Sequence, residues 1–232
     1  MIEAFVANLG RYNEGRLDGE YLKLPATTEE VQALLKRIHV DGIRYEEVFI
    51  TDYKTDISGL HGYLGENESI DELSYLAALL EDMETHEIEK FEAAMGFGEH
   101  TNSLKDLINL AQNLDRYEYY PDIGSEEDLG RYYIEEMCSM EVPEHLQNYI
   151  DYEAYGRDMY LDEDGRFLNG GYVLRNGDSF VEHYSGRDDL PEEYQIFAYP
   201  EKTSIRETLN EYRQMIAAAP SMARPAPVHE DR

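Results

Sequence analysis

A run of acidic residues from Asp115 to Asp164 places the strictest limit on how this chain can pack. The run carries sixteen Asp or Glu residues against three Arg and no Lys, with tyrosines between them. Like charges four residues apart on a helix repel each other, and ordinary solvated faces mix the two signs. A face of one sign therefore calls for a function beyond keeping the protein soluble.

The composition is acidic throughout the middle of the chain but still allows a folded core. Of 232 residues, 42% are apolar, and they include 20 Tyr and 7 Phe, which argues against global disorder. This length allows one large domain or two to three small ones. The 50 acidic residues against 20 basic residues give a formal charge of −30. A chain with this charge is not expected to bind nucleic acid or an anionic membrane directly.

Three further features predict a soluble, cytoplasmic protein. Cys138 is the single cysteine, so no intramolecular disulfide can form, and a lone thiol suits a reducing compartment. The first residues lack the basic and apolar regions of a signal peptide. No apolar run approaches the length that is needed to span a membrane.

The order of sequence patterns predicts an α+β protein that is divided into small domains. Residues 1–62 are predicted to form an α+β domain, in which Thr27 and Glu30 make a capping box at the start of a helix. Residues 63–114 are predicted to form an acidic helical domain, in which Ser69 and Glu72 make a second capping box. Strands of the first domain are predicted over residues 2–7, 21–24 and 47–51, and helices of the second over about 69–83, 88–95 and 104–111.

Residues 115–180 are predicted to return to mixed α+β structure. Ser125 is positioned to cap a helix that turns Leu129, Tyr132, Tyr133 and Met137 inward, and Pro143 can begin another helix. Strands are predicted over residues 159–161 and 171–174. Residues 181–232 are predicted to be a C-terminal extension, with a strand over 194–199, a helix over 204–219 and a disordered tail.

The sequence contains no pattern that is typical of an enzyme. The seven histidines show no metal-ligand spacing, Cys138 lacks a nucleophile signature, and no phosphate-binding loop occurs. Paired carboxylates could serve glycoside hydrolysis, but the acids form rows and the chain has no Trp for stacking against a sugar. We therefore expect no catalytic activity and no cofactor.

A calcium site is the main alternative use for the acids. Residues Asp162 to Gly165 have the start of a calcium-binding loop, but the spaced ligands that should follow are absent. The alternative interpretation is therefore an acidic scaffold or a calcium-stabilised binding protein.

The acids of the two predicted helices would lie on faces opposite their apolar residues. In the helix that contains Glu127, Asp128 and Glu135, the carboxylates project away from Leu129 and Met137. Duplex DNA presents about one charge per 1.7 Å of its axis, so the net charge of −30 matches that of roughly 50 Å of duplex. We therefore expect this protein to mimic DNA and to occupy the basic groove of a DNA-binding protein. The predicted acidic surface consists of Asp71, Glu72, Asp82, Glu89, Asp115, Glu118, Asp122, Glu126, Glu127, Asp128, Glu135 and Glu136.

Five segments of the chain resemble the ArdA antirestriction proteins. They are residues 6–15 (VANLGRYNEG), 19–25 (GEYLKLP), 45–53 (YEEVFITDY), 127–136 (EDLGRYYIEE) and 149–158 (YIDYEAYGRD). The segment at 127–136 resembles the antirestriction motif of this family. The likeness covers about residues 3–175, with Tyr21 where many members carry Trp, and it leaves residues 181–232 without a counterpart.

The resemblance implies an elongated chain of three small domains that forms a homodimer through the third domain. It also implies a non-catalytic inhibitor that binds the DNA-binding specificity and modification subunits of type I restriction-modification enzymes. Such proteins are carried by mobile genetic elements. The dimer contact would then fall on Tyr149, Ile150, Tyr152 and Tyr155 in the third domain.

Overall fold

A computed structural model describes residues 1–138, 141–168 and 170–200, except for the side chain of Glu144. Within these ranges the protein is a mixed α+β structure with seven helices and two small antiparallel sheets. Residues Met1–Pro200 form one compact unit. The helix that was predicted over 204–219 and the predicted tail lie outside the described residues.

The first sheet is built from three antiparallel strands in the order β2-β1-β3. They are β1 (Ile2–Asn8), β2 (Gly19–Leu24) and β3 (Val48–Thr55), which confirms the three strands predicted for this region. The alternation of apolar residues turns one face of β1 into the core, because successive side chains point to opposite faces of a sheet. A five-residue helix, α1 (Leu9–Asn13), follows β1 directly.

Helix α2 (Thr28–Arg37) covers this part of the core with Val31, Leu34 and Leu35. The predicted capping box is complete. Thr27 accepts a hydrogen bond from the Glu30 amide, and the Glu30 side chain accepts one from the Thr27 amide.

Three helices follow, as the sequence predicted: α3 (Ile70–Glu81), α4 (Thr85–Phe97) and α5 (Leu104–Ala111). Ser69 caps α3 by accepting from the Glu72 amide. The Glu72 side chain does not complete the expected capping box, because it turns towards the C-terminal part of the chain and accepts hydrogen bonds there.

The second sheet has the order β4-β6-β5, with β4 (Tyr117–Tyr120), β5 (Arg166–Leu168) and β6 (Gly171–Arg175) all antiparallel to their neighbours. Helix α7 (Tyr152–Glu163) replaces the strand that was predicted over 159–161. That prediction was wrong because a short apolar run looks the same in a buried strand and in a helix. Residues Glu144–Tyr149, where another helix was predicted, form a short 3₁₀ helix.

Helix α6 (Glu126–Arg131) continues as a π-helical segment over Tyr132–Glu136. A π segment inserts one extra residue into the turn, so the side chains beyond it rotate relative to an ideal α-helix. Ile134 is therefore buried, whereas Met137 is 57% exposed. The expectation that Met137 faces inward was wrong for this reason.

Two glycines let helices α6 and α7 pack at backbone distance. A Cβ atom on Gly130 would lie 2.0 Å from the carbonyl oxygen of Tyr152, and one on Gly156 would lie 1.8 Å from that of Glu126. Both distances are far below van der Waals contact, so only glycine fits at either position. This crossing places the motif-like segment 127–136 directly over the start of α7.

The buried apolar residues form one large cluster and a smaller one. The large cluster runs from Ile2 through α3, α4 and α5 to Ile196. The smaller cluster is centred on Ile123, Leu129 and Tyr172, beneath α6. The proposed regions 1–62 and 63–114 thus contribute to a common core, and the division into three domains stays a prediction.

Residues 181–200, called the strap below, pack against this core without forming a regular strand. Tyr184, Leu190 and Ile196 are buried, and short 3₁₀ turns occur at Arg187–Asp189 and Glu192–Tyr194. The strand that was predicted over 194–199 is absent, because side chains of the helices bind the strap's backbone in place of a neighbouring strand. No helix of the described ranges is both long and apolar enough to cross a membrane.

Candidate acidic binding surface

Most of the predicted acidic surface is open to solvent. Asp71 and Glu126 are half-buried and Glu72 is buried, at 7% exposure. The nine exposed residues are Asp82, Glu89, Asp115, Glu118, Asp122, Glu127, Asp128, Glu135 and Glu136.

Acids on α4 and β4 are brought close together. Glu89 and Glu92 of α4 lie near enough to Tyr119 of β4 to raise the pKa of its phenol, in addition to the effect of burial. Burial lowers the pKa of Lys90, also on α4, and the nearby carboxylates of Asp115 and Glu118 partly oppose that shift. The fold thus joins acids that are about thirty residues apart in sequence.

On α6, one arginine organises two of the carboxylates. Arg131 donates to Glu127 across 2.9 Å and lies 3.7 Å from Glu135, one turn before and one turn after it. Its guanidinium also lies 4.3 Å from the ring centre of Tyr152 on α7. Arg131 therefore holds Glu127 and Glu135 in line, at the cost of one positive charge in the row.

Tyrosine hydroxyls position other carboxylates and leave their charge intact. Tyr152 donates to Glu135 across 2.6 Å, and Tyr120 donates to Glu118 across 2.6 Å. The hydrogen bond to Glu135 raises the pKa of Tyr152, and burial followed by the bond to Glu118 raises the pKa of Tyr120. Both phenols therefore stay protonated donors at neutral pH. The interleaving of Tyr with Asp and Glu fixes acids in place, as Arg would, without cancelling their charge.

Two recesses flank α6 on its acidic side. One, of about 360 Å³, is lined by acids and aromatic rings that include Asp122, Asp128 and Tyr132. The other, of about 370 Å³, lies between Glu127 and the start of α7. Carboxylates beside aromatic faces suit cationic groups such as guanidinium and ammonium.

Asp71 and Glu72 make hydrogen bonds within the protein. Glu72 was expected on the exposed acidic surface, and its burial corrects that expectation. Glu72 accepts from the Tyr184 hydroxyl at 2.9 Å and from Arg187 Nε at 3.0 Å. Asp71 Oδ1 accepts from the amides of Ile196 and Phe197 at 2.9 and 2.6 Å. Both acids thus bind the strap, because buried carboxylates need hydrogen-bond donors.

The strap carries exposed acids that the sequence reasoning did not assign to the surface. Its five acids against one arginine are a visible signal, but the resemblance to the family gives this segment no counterpart, so the sequence left its role open. The five exposed residues are Glu182, Asp188, Asp189, Glu192 and Glu193.

The residues predicted for a dimer contact differ widely in exposure. Tyr149 is 84% exposed, whereas Ile150 and Tyr155 are half-buried. Tyr152 is buried within the chain, between Arg131 and Glu135, and the part of these four residues in a dimer contact stays a prediction.

The candidate calcium loop is engaged in other contacts. Glu163 accepts hydrogen bonds from Tyr133 and Tyr172, and Asp164 lies 3.6 Å from Arg175. Within residues 1–138, 141–168 and 170–200, no group of three or more His, Cys, Asp or Glu side chains is arranged to hold a metal ion.

The fold and this surface define an acidic, mixed α+β protein in which tyrosine hydroxyls and Arg131 position part of an exposed acidic face. The family described as "Antirestriction protein (ArdA)" matches residues 4–174 of the chain, which is most of its length. The chain therefore belongs to the ArdA antirestriction family, which confirms the resemblance seen in the sequence. Comparison with curated proteins finds no match.

Proposed function

We propose that this protein inhibits type I restriction-modification enzymes by presenting its carboxylates in place of DNA phosphates. The observation that carries the proposal is the exposure of Glu127, Asp128, Glu135 and Glu136 on and just beyond α6, within a family of antirestriction proteins. The inhibition would be stoichiometric and non-catalytic, through the enzyme's DNA-binding specificity and modification subunits.

Part of the negative charge on this surface is fixed in position. A basic groove gains affinity for DNA by releasing the counterions that are condensed on phosphates. Carboxylates that tyrosine hydroxyls hold in place offer the same groove a rigid array of negative charge, and less freedom is lost on binding. Arg131 reduces the local charge by one, which leaves the row strongly negative.

Competition with DNA tests the proposal directly. A labelled duplex that carries the recognition sequence is bound to a purified type I modification complex, and the protein is titrated into the mixture. We expect mutually exclusive binding that saturates at a fixed ratio and weakens steeply as salt rises. A ternary complex of enzyme, DNA and this protein would overturn the proposal.

A charge-matched pair of variants then locates the surface. The first variant carries Glu127→Gln, Asp128→Asn, Glu135→Gln and Glu136→Gln, changes that keep an oxygen acceptor at 135 for Tyr152 and at 128 for the Ser125 hydroxyl. The control variant carries Glu→Gln at four exposed N-terminal acids, namely Glu29, Glu46, Glu47 and Glu66. Each variant changes the net charge of −30 by four units.

We expect the α6 variant to lose far more inhibition than the control, whereas Glu135→Gln alone should cost little because many acids share the contact. Equal losses would mean that only total charge matters. If the folded α6 variant inhibits normally, the row is a solvated face and does not contact the enzyme.

We also propose that the protein forms a homodimer through the region of Tyr149. A tyrosine that is 84% exposed, close to the exposed Leu146, presents apolar surface that a partner copy could cover. Light scattering should report a dimer for the wild type and a monomer for Tyr149→Asp, with exposed Leu17→Asp as the control. A wild type that is monomeric at micromolar concentration would contradict the proposal.

A further inference from the structure

The strap begins at the C-terminal end of α5, where Asn109 and, just beyond the helix, Asn113 bind its backbone as a neighbouring strand would. Asn113 donates to the carbonyl of Val181 at 2.8 Å and accepts from the amide of the same residue at 2.9 Å. Asn109 makes the same pair of bonds with Tyr184, at 2.8 and 2.9 Å, and also accepts from the His183 amide. Both asparagines are buried, and they lie one helical turn apart.

The middle of the strap is fixed on α3 by Asp71 and Glu72, as described above. Leu190 and Ile196 add buried apolar surface between these polar contacts. The ring of Tyr184 also packs against that of Tyr75, with their centres 5.7 Å apart. A segment without regular secondary structure is thus held along its length by side chains of two helices.

The far end of the strap reaches the N-terminal part of the protein. Tyr199 donates from its hydroxyl to the carbonyl of Glu46 at 2.8 Å, and its own carbonyl accepts from Gln32 of α2 at 3.1 Å. The Tyr199 ring covers Gly42, where a Cβ atom would approach to 2.7 Å. Gly42 belongs to a turn that Asp41 holds together. Its Oδ1 atom accepts hydrogen bonds from the amides of Ile43, Arg44 and Tyr45.

We infer that the strap acts as a clasp, one cooperative element that ties helices α3 and α5 to the turn at residues 41–45. The two regions already touch directly, since the Ala26 amide donates to Ser74 Oγ at 3.2 Å. The strap is a second tie, and it lies outside the residues 4–174 that match the family. Because its contacts are continuous from Val181 to Tyr199, loosening one end should loosen the other.

Hydrogen exchange on the full-length protein tests the clasp, and it needs no restriction enzyme. The variant Asn109→Ala with Asn113→Ala removes the strap's contacts at this end only. Both asparagines also donate to carbonyls of their own segment, those of Lys105 and Asn109, so exchange of the α5 amides is measured as well. Ala is a better helix former than Asn, so we expect α5 itself to stay protected. We expect amide exchange to rise about tenfold both at residues 181–184 and at the distant turn 41–45. Asn102→Ala, at an exposed position just ahead of α5, is the control and should change neither.

Replacing two buried asparagines could disturb folding, so a second variant alters the opposite end of the strap, where the side chains are more exposed. Tyr199→Phe with Gln32→Ala removes only hydrogen bonds at the far end, where both side chains are partly exposed. Coupling is reciprocal, so exchange should then rise at residues 181–184 as well as at 41–45. Effects that stay confined to the altered end, or no effect at either end, would overturn the inference.

Discussion

At the scale of single residues, the hydrogen-bond donors around a carboxylate determine whether it stays exposed on the surface or is buried in the interior. Glu118 and Glu135 accept from tyrosines and stay exposed, so their charge remains available to a partner. Glu72 is buried beneath the strap, with Arg187 and Tyr184 as its donors. Acids that look alike in sequence thus have opposite roles.

The anchoring role of Asp71 can be separated from its charge. Asp71→Asn keeps the Oδ1 acceptor for the amides of Ile196 and Phe197, and burial already raises the pKa of this carboxyl, which disfavours its charged form. We expect the free energy of unfolding to change little. Asp71→Ala removes the acceptor from partly buried amides and should cost about 1–3 kcal/mol. Urea unfolding of both variants measures the difference, and equal losses would show that the charge itself anchors the strap.

At the scale of elements, the crossing of α6 and α7 depends on two glycines. Their missing Cβ atoms allow the backbones to touch, so the acidic row on α6 is carried on a rigid pair of helices. A carbonyl of a neighbouring helix cannot move aside as a flexible side chain can.

Adding one methyl group at this crossing should therefore separate the helices. We expect Gly130→Ala and Gly156→Ala each to lower the free energy of unfolding by at least about 1–3 kcal/mol. Gly124→Ala is the matched control, because its nearest atom would lie 3.5 Å away, at ordinary contact distance. Thermal unfolding compares the three variants. A harmless Gly130→Ala would mean that the backbones of α6 and α7 are not in contact at this crossing.

At the scale of the whole molecule, the formal charge of −30 acts on folding and on binding in opposite directions. Repulsion between carboxylates destabilises the folded state, and added salt screens that repulsion. Attraction to a basic groove is screened by the same salt.

Salt should therefore stabilise this protein while it weakens the inhibition of its target. We expect the melting temperature to rise between low and moderate NaCl, and the affinity for a type I enzyme to fall over the same range. Scanning calorimetry and the competition assay provide the two curves. A melting temperature that falls with NaCl would show that ion pairs such as Arg131 with Glu127 outweigh the repulsion.

Tyrosines that are buried or half-buried should set an upper pH limit for the fold. Burial, followed by nearby carboxylates, raises the pKa of Tyr133, Tyr172 and Tyr184. A group whose pKa is higher in the folded state than in the unfolded state contributes stability below the unfolded value, which is about 10 for Tyr, and that stability is lost as pH rises further. We expect a step in tyrosinate absorbance above about pH 10 that coincides with loss of circular dichroism. Ionisation of all tyrosines before any unfolding would contradict this.

Short-range patterns in the sequence determined much of the fold and the family. The strands of the first sheet, the capping box at Thr27 and the three helices between residues 70 and 111 follow from local periodicity and capping. The exposure of most acids on and around α6 follows from the same periodicity, since ionised side chains oppose the apolar face of a helix.

Contacts between distant residues were decided only by the tertiary structure. Glu72 and Tyr184 are 112 positions apart, and no local pattern predicts that one will bury the other. The π-helical segment that exposes Met137 and the approach of Gly130 to Tyr152 likewise depend on how α6 meets α7. The sequence specified which residues are charged, but packing decided which charges face the solvent, because burial depends on what lies across the interface and not on the neighbours in the chain.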